Sequence, residues 1–437
     1  MNDAVMKVIR TLNEHGYDAF LVGGCVRNYL MNIKPADYDI TTSAKAEDVK
    51  KLFDYRITGS VEKHGTFLVL IDGGDFQIEV TSYRDGALTL ENDLSHRDFT
   101  VNAIACHPDE GLIDIYGGTE DIKNKIIRGV INSRERFQED PLRILRALRF
   151  ASVFGFRIEH ETSVAVHELA QKLESVSPER IEKELTKIIC GHYAWRILEE
   201  YSDVIFALIP ELESTKKFSQ HNKYHCLDVY SHTLKVLASS PDNPVMRWTA
   251  LFHDIAKPEC FFLDGNGNGH FYGHDLRGSE IASGIMERLR FDNRRKNLID
   301  FMIKYHCVHF PENKKVMRRY LSKFGHDEYT MLLEFQKADL IGHVFNAEIM
   351  RAYDYAAELL HEVEAEDSCL SLKDLAINGH DVMRLGLKGR DVGSALSYML
   401  ESVIDESVNN NREELLEFLA GHVNDIMQKN SRERADE

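Results

Sequence analysis

The chain has 437 residues, too many for one ordinary hydrophobic core, so about two to four domains are expected. Its 53 Lys and Arg stand against 71 Asp and Glu, and the net charge of −18 argues against a general nucleic-acid coat while leaving room for a local basic face or a polyanion held through metal ions. No apolar run approaches the roughly 20 residues of a membrane span, no signal peptide opens the chain, and the seven cysteines contain no CxxC pair, so reduced thiols in a cytoplasmic protein are expected.

Val5, Val8, Ile9 and Leu12 recur at helical spacing across residues 4–15. Ala19-Phe20-Leu21-Val22 is a short apolar run ending on Gly23-Gly24, a strand that enters a turn, and Val26 to Met31 reads as a second helix. Tyr38 to Thr41 reads as a strand. Phe67 to Ile71 and Phe76 to Val80 read as a hairpin around Asp72-Gly73-Gly74. The chain is therefore α/β to about residue 130 and mostly helical from Asp140 onward, punctuated by Pro178, Pro210, Pro241, Pro244, Pro258 and Pro311.

Asp37 and Asp39 stand one residue apart, so on a strand both carboxylates would face one side. Two like charges so close are costly unless something compensates, and Mg²⁺ shared with nucleotide phosphates is the natural compensation. Gly23-Gly24 at the head of a helix offers backbone N–H groups for a triphosphate, and Arg27 in its first turn adds a charged fork. An isolated Asp-x-Asp pair is common by chance; the Gly-Gly turn, the Arg and the pair together in a strand–turn–helix–strand order are not.

Gly23-Gly24-Cys25-Val26-Arg27 followed by Asp37-Tyr38-Asp39 resembles the first motif of polymerase-β-like nucleotidyltransferases, specifically the class II tRNA nucleotidyltransferases that include bacterial CCA-adding enzymes and poly(A) polymerases. Asn28 replaces the Asp usual in that family, which removes a charge but leaves the two metal carboxylates. Four further segments extend the resemblance in order. Arg97-Asp98-Phe99-Thr100-Val101-Asn102 is similar to the ribose-contacting second motif, and Asp114 to Gly118 with Asp121 to the third, a hinge. Glu139-Asp140-Pro141-Leu142-Arg143 with Arg146 is similar to the fourth, and Ser177-Pro178-Glu179-Arg180 with Glu184 to the fifth. The resemblance implies that Asp37 and Asp39 are catalytic and hold Mg²⁺. It implies that Gly23, Gly24, Arg27, Arg97, Asp98, Asn102, Asp140, Arg143, Arg146 and Arg180 bind the nucleotide.

Asp140 and Arg143, three apart on an expected helix, share a face. Asp140 only accepts hydrogen bonds and Arg143 only donates. Cytosine and adenine each present an amino donor beside a ring-nitrogen acceptor, whereas uracil and guanine put a carbonyl where the amino group should be. Mispaired buried polar groups discriminate strongly, so the pair can select the base as an amino-acid template. The alternative for these two residues alone is a solvated i,i+3 salt bridge. Glu79 is a further candidate carboxylate on a neighbouring strand, ranked below the aspartates.

Between Tyr83 and the second motif this chain has only a short segment where related enzymes carry a long loop associated with the change from CTP to ATP. The shortening implies a CC-adding specialist; full CCA addition is the alternative, as is a deletion without consequence.

The 20 histidines cluster between His221 and His309. His232, the doublet His253-Asp254 with Lys257 behind it, and Asp339 follow the order of the HD domain, a set of imidazoles and carboxylates suited to a divalent metal of unknown identity that activates water against phosphate esters. His274 and His306 are candidates for a second metal at that site. His221, His225 and His309 lack recognisable partners. In the tail, Lys373 to Asp381 resembles the tRNA-contacting module of related enzymes and is equally compatible with a helical cap. RNA contacts are expected along Arg143–Arg157 or Lys314–Arg319.

The expected architecture is multidomain α+β: a polymerase-β-like head with a mixed sheet over residues 1–135, a helical neck for base recognition over 136–210, a helical body with the HD site over 211–345, and a helical tail for tRNA binding over 346–437. The expected activity is template-independent addition of C, or of C, C and A, to the tRNA 3′ end from CTP and ATP. The alternatives are an HD phosphohydrolase with an inactive RNA-binding head, to which Asn28 would point, and a poly(A) polymerase.

Overall fold

The residues at helical spacing near the amino terminus all bury: Val5, Val8, Ile9 and Leu12 form the inner face of a helix, Asp3–Glu14. It packs on a mixed sheet in the computed structural model, which describes residues 3–35, 37–56, 66–71, 76–83, 89–221, 227–344, 346–366 and 368–436. The strands are β1 (Ala19–Val22), β2 (Asp39–Thr42), β3 (Tyr55–Arg56), β4 (Thr66–Ile71), β5 (Phe76–Ser82), β6 (Ala105–His107) and β7 (Gly111–Ile113). Their order across the sheet is β3-β4-β5-β2-β1-β6-β7. The β2–β5 pair is parallel and its neighbours are antiparallel, so the expected mixed sheet is present. The turn at 72–75, the short segment 84–88 and His225 lie outside the described residues.

Alternation decides which side chains reach solvent. On β5, Ile78 and Val80 are buried and Gln77 and Glu79 are exposed, the period of two expected of a strand with one covered face. Ile78 and Val80 join Leu21, Ile40, Phe67 and Val69 beneath the amino-terminal helix. Burying each such side chain contributes about 1.5–3 kcal/mol. Phe20 and Val22 point to the opposite face of the central strand, where they meet Leu94, Ala103, Ala105 and Val130. Coverage on both faces explains why β1 is buried along its whole length.

The third motif is a capped turn. Asp114 accepts from the backbone N–H groups of Gly118 and Thr119, both at 2.8 Å, at the start of helix Gly118–Asn124. Gly117 takes φ +73°, and a Cβ on Gly118 would run into the Thr100 carbonyl oxygen and lie 2.8 Å from Ile104. Asp121 in that helix is buried and binds the Thr100 hydroxyl at 2.6 Å and Arg128 at 3.1 Å.

The chain divides into two compact units, one of Met1–Lys216, Asp242–Trp248 and Ser283–Asp292, the other of Lys217–Pro241, Thr249–Ala282 and Asn293–Glu437. Beyond the sheet the first unit is helical apart from a parallel pair of two-residue strands, Ile126–Ile127 and Arg157–Ile158, with helices Ser133–Glu139, Leu142–Phe154 and Pro178–Ile189 following the head. The second is helical apart from the two-residue strands Phe262–Leu263 and Gly269–His270. In its tail, Asn378 caps helix Gly379–Arg384 in a reciprocal capping box with Asp381, which also binds Arg412 at 2.6 Å. The cap is thus a structural use for the tail segment. The basic run Lys314–Arg319 is matched by acids: Lys314 and Arg318 bind Glu366 at 2.8 and 2.7 Å, and Arg319 binds Asp405 at 2.7 Å. Its charge is largely neutralised within the unit. No described helix is long and apolar enough to cross a membrane.

The contacts at Gly118 predict that Gly118→Ala destabilises the first unit by about 1–3 kcal/mol, because a backbone carbonyl cannot yield as a side chain can. Urea denaturation followed by circular dichroism checks this, and an unchanged midpoint would contradict it.

Candidate active site and candidate metal centre

The first unit carries a cleft of about 940 Å³ lined from both the sheet and the helices that follow it. At its floor the chain leaves β1 through Gly23, at φ +72°, and enters helix Gly24–Leu30. A Cβ on Gly23 would sit 3.1 Å from Arg97 Nη1 and 3.4 Å from Asp39 Oδ2, so glycine is required by conformation and by space.

Asp39 opens β2, opposite Val22 on one side and Glu79 on the other. Asp37 lies two residues before it, exposed, in a bend rather than on the strand, and it is not among the residues lining the cleft. The expected strand therefore starts one residue late: β1 offers a partner only as far as Val22, after which Gly23 turns the chain away. Parallel pairing sets Glu79 beside Asp39, and both line the cleft. Partial desolvation, with the charges of Asp39 and Asp37, raises the Glu79 carboxyl above its ordinary range. Glu79 therefore belongs with the aspartates more closely than sequence spacing indicated. This set of hard oxygen donors, with unbalanced negative charge, fits a divalent cation such as Mg²⁺.

A buried polar chain runs along the wall. Arg27 donates to Asn102 Oδ1 at 2.5 Å and to Asn28 Oδ1 at 2.9 Å, and its guanidinium lies over the rings of Phe154 and Phe150 at 4.7 and 5.0 Å. Asn28 is thus a neutral acceptor that still holds Arg27, so losing the usual carboxylate does not release the arginine. Burial, opposed by Asp98 and reinforced by Arg149 and Arg146, lowers Arg27 to about 10, which leaves it charged at neutral pH. Asn102 donates to Asp98 Oδ1 at 3.0 Å, and Arg146 binds Asp98 Oδ2 at 2.6 Å. Burial alone would raise the Asp98 carboxyl, but Arg146 and Asn102 outweigh it and hold it well below the usual range. Arg97 binds Asp93 at 3.2 Å.

Asp140 and Arg143 do not share one helix. Asp140 sits at φ −139° between helices Ser133–Glu139 and Leu142–Phe154, because Pro141 forces the residue before it out of helical conformation. The dipeptide Asp140-Pro141 carried that signal. Asp140 Oδ2 pairs with Arg180 at 3.0 Å, while Arg143 binds Glu139 at 3.0 Å and donates to the His96 carbonyl at 3.0 Å. Both nevertheless line the cleft, with Arg146, Arg149 and Arg180. Arg149 is held by Glu184 at 2.9 Å.

The second unit gathers the histidines at helix ends. His232 lies within helix Val229–Ser239 and Asp339 near the end of His326–Gly342, while His253-Asp254 follow Pro244–Phe252. His274 opens His274–Arg288, and His306 follows Asn293–Tyr305. His232 Nε2 is 3.0 Å from Asp339 Oδ1 and 3.5 Å from Asp254 Oδ2, and His253 Nε2 is 3.2 Å from Asp254 Oδ2 and 3.6 Å from Asp339 Oδ1. All four expected residues therefore converge, and His274 and His306 lie on the other oxygen of Asp254. Lys257 Nζ is 2.7 Å from Asp254 Oδ2. Burial alone would lower His253, but the neighbouring carboxylates of Asp254 and Asp339 drive it up to about 10. A Cβ on Gly342 would come within 2.7 Å of the His232 ring, so a glycine lets the two helices approach.

Two residues went unnoticed in the sequence. His343 Nε2 is 3.5 Å from Asp339 Oδ1, an i,i+4 neighbour at the helix end that spacing could have flagged. Cys307 Sγ is 3.1 Å from His306 Nε2. The donor set of imidazoles and carboxylates fits a divalent metal. His221 and His309 are both exposed, and neither joins this group.

Comparison with known proteins finds three family matches in order along the chain. Residues 19–128 match the poly A polymerase head domain, 155–214 the "Probable RNA and SrmB-binding site of polymerase A", and 279–419 domain 2 of tRNA nucleotidyltransferase. A CCA-adding enzyme of Geobacillus sp. is 30% identical over 434 residues, covering 94% of this chain and 95% of that protein. Alignment with the CCA-adding enzyme of Bacillus cytotoxicus is 39% identical and covers 48% of this chain and 56% of that protein. Alignment with the enzyme of Enterococcus faecalis is 42% identical and covers 42% of this chain and 48% of that protein, so in these two the match spans about half the relative's length. The crystal structure of the Bacillus stearothermophilus CCA-adding enzyme in complex with CTP superposes at a TM-score of 0.71, with 26% identity over 99% of this chain and 98% of that one. The Thermotoga maritima CCA-adding enzyme complexed with tRNA shares the fold at a TM-score of 0.58 and 22% identity, over 96% of this chain and 95% of that one. A relative 30% identical across nearly both whole chains, over a head of matching fold, establishes that this chain belongs to the family of CCA-adding enzymes, which are tRNA nucleotidyltransferases.

Proposed function

We propose that this chain adds nucleotides to the 3′ end of tRNA without a nucleic-acid template, with CTP and ATP as donors. The observation that carries the reading is the cleft in which Asp39 and Glu79 stand side by side across from Asp140, Arg143 and Arg180. The CTP complex of the B. stearothermophilus relative and the tRNA complex of the T. maritima relative support the choice of substrates.

In this reading Asp37 and Asp39 hold Mg²⁺, with Glu79 beside them. Bound there, Mg²⁺ lowers the cost of forming the attacking oxyanion and of releasing pyrophosphate. Gly23 and Gly24 let the triphosphate approach the backbone, and Arg27 and Arg97 add positive charge. Asp98 and Asn102 are held rigidly by Arg146 and Arg27 and meet the ribose. Asp140 accepts from the exocyclic amino group of cytosine or adenine, aimed by its pair with Arg180, and Arg143 donates to the ring nitrogen after leaving Glu139. Because Asn28 keeps Arg27 in place, the feature that pointed to an inactive head loses its force.

The short stretch after Tyr83 favours a second reading, in which the enzyme adds the two cytidines only. The second unit supports an additional activity: hydrolysis of phosphate monoesters or 2′,3′-cyclic phosphates at a divalent centre held by His232, His253, Asp254 and Asp339, with His274 and His306 at a second position. A metal there would supply activated water. His343 supports Asp339 from the far side.

Replacing Asp39 with Ala is expected to lower CTP incorporation into truncated tRNA by about a hundredfold or more while phosphatase activity persists; retained incorporation would refute the assignment. Asp140→Ala should cost about a hundredfold in preference for CTP over UTP, measured as the ratio of kcat/KM values, and an unaltered ratio would remove Asp140 from base selection. Supplying CTP and ATP separately and then together to tRNA lacking its 3′ end distinguishes the two readings: efficient terminal adenylation excludes the CC-only enzyme. Chelation of the purified protein should abolish cyclic-phosphate hydrolysis, and hydrolysis surviving in metal-depleted protein would contradict the second site.

A further inference from the structure

The two ends of the histidine pocket differ in chemistry, and Asp254 joins them. Its Oδ2 faces His253 and His232 at 3.2 and 3.5 Å, while its Oδ1 faces His274 Nε2 at 3.5 Å and His306 Nε2 at 3.9 Å. At this second end the nearest additional donor is sulfur. Cys307 Sγ lies 3.1 Å from His306 Nε2 and 3.7 Å from His274 Nε2, at the solvent edge of a pocket of about 700 Å³.

Hydrogen bonds outside the pocket fix what these rings present to it. His274 Nδ1 is 2.8 Å from the Phe271 carbonyl and His306 Nδ1 is 2.7 Å from the Ile303 carbonyl. A carbonyl oxygen only accepts, so each ring carries a proton on Nδ1. In the neutral rings both Nε2 lone pairs then face each other across 3.3 Å, beside the sulfur. Such an arrangement is repulsive until a cation stands between the donors, and rings oriented by backbone carbonyls are the usual support of metal-bound imidazoles.

Two imidazole nitrogens, one thiol and one carboxylate oxygen make a four-donor set of tetrahedral type. Mg²⁺ demands an octahedron of oxygens and gains nothing from sulfur, whereas Zn²⁺ and Co²⁺ take mixed nitrogen and sulfur donors. Resting on the reading of this pocket as a divalent-metal centre, we propose that its second position is a thiolate-bearing zinc site held by His274, His306, Cys307 and the shared Asp254, with Cys307 excluding Mg²⁺. Metal entry converts the Cys307 thiol to a thiolate and releases its proton to solvent, so one S–H bond breaks as one metal–sulfur bond forms. The site would make the two active centres of the chain draw on different metals, a hard ion in the head and a borderline one here.

The test uses the full chain, stripped of metal by chelator under reductant and titrated with Co²⁺. The wild type is expected to develop an intense near-ultraviolet sulfur-to-cobalt charge-transfer band. That band should vanish in Cys307→Ser and in His274→Ala, while Co²⁺ binding at the first position continues. Zinc at the second position should weaken about tenfold to a hundredfold or more in Cys307→Ser, and zinc content by elemental analysis should fall by about one per chain. His232→Ala should leave the band in place. Cobalt bound to the wild type without a sulfur band, or with a band that survives Cys307→Ser, overturns the thiolate assignment and leaves the divalent-metal reading intact. A wild type that binds no transition metal overturns both.

Discussion

Parallel pairing of β2 with β5 places the carboxylates of Asp39 and Glu79 side by side in the wall of a cleft, with Asp37 close enough to add to their field. The backbone enforces this closeness: Glu79 cannot move away without breaking the register that buries Ile78 and Val80 on either side of it. Like charges held together by hydrophobic packing are a standing electrostatic demand for a cation. The rest of the head is arranged around that demand. Gly23 leaves room for Arg97 and for a ligand beside Asp39, and the wall opposite the carboxylates is built from arginines.

Those arginines are not loose surface charges. Arg27, Asn102, Asp98 and Arg146 form a continuous chain of hydrogen bonds in which each member fixes the next. The chain keeps Asp98 ionised despite burial and keeps Arg146 aimed at the cleft. Rigidity of this sort would suit the proposed base selection by single donors and acceptors, because a mobile side chain would adapt to the wrong partner. The second unit repeats the theme with different chemistry. Its acidic and imidazole groups are brought together by the ends of separate helices, and a glycine at position 342 permits the close approach. In both places packing imposes the proximity, and a bound cation would resolve it.

Much of this was legible in the sequence. Apolar spacing gave the amino-terminal helix and β1, and the Gly-Gly turn and Asp39 marked the cleft because their meaning is local. The mistakes had different origins, most of them tertiary. The strand begins at Asp39 because its partner ends at Val22, a tertiary limit that no propensity of residues 37–38 encodes. Asp140 and Arg143 were read as helical neighbours although Pro141 between them breaks the helix. Glu79 was undervalued because its closeness to Asp39 is a cross-strand fact. Cys307 was missed because it joins its site just past a helix terminus, where residues leave the helical period, whereas the i,i+4 spacing of His343 from Asp339 was there to be read. Asn28 looked like a lost salt bridge, and only the structure shows its amide oxygen still accepting from Arg27.

The central claim is that the paired carboxylates of the head create a metal site completed by a nucleotide. Its most direct test is CTP-dependent Mn²⁺ binding, followed by electron paramagnetic resonance, in the wild type and in Asp39→Asn. The account predicts that CTP adds bound Mn²⁺ to the wild type and adds none to the variant. Equal CTP-dependent binding in both would contradict it.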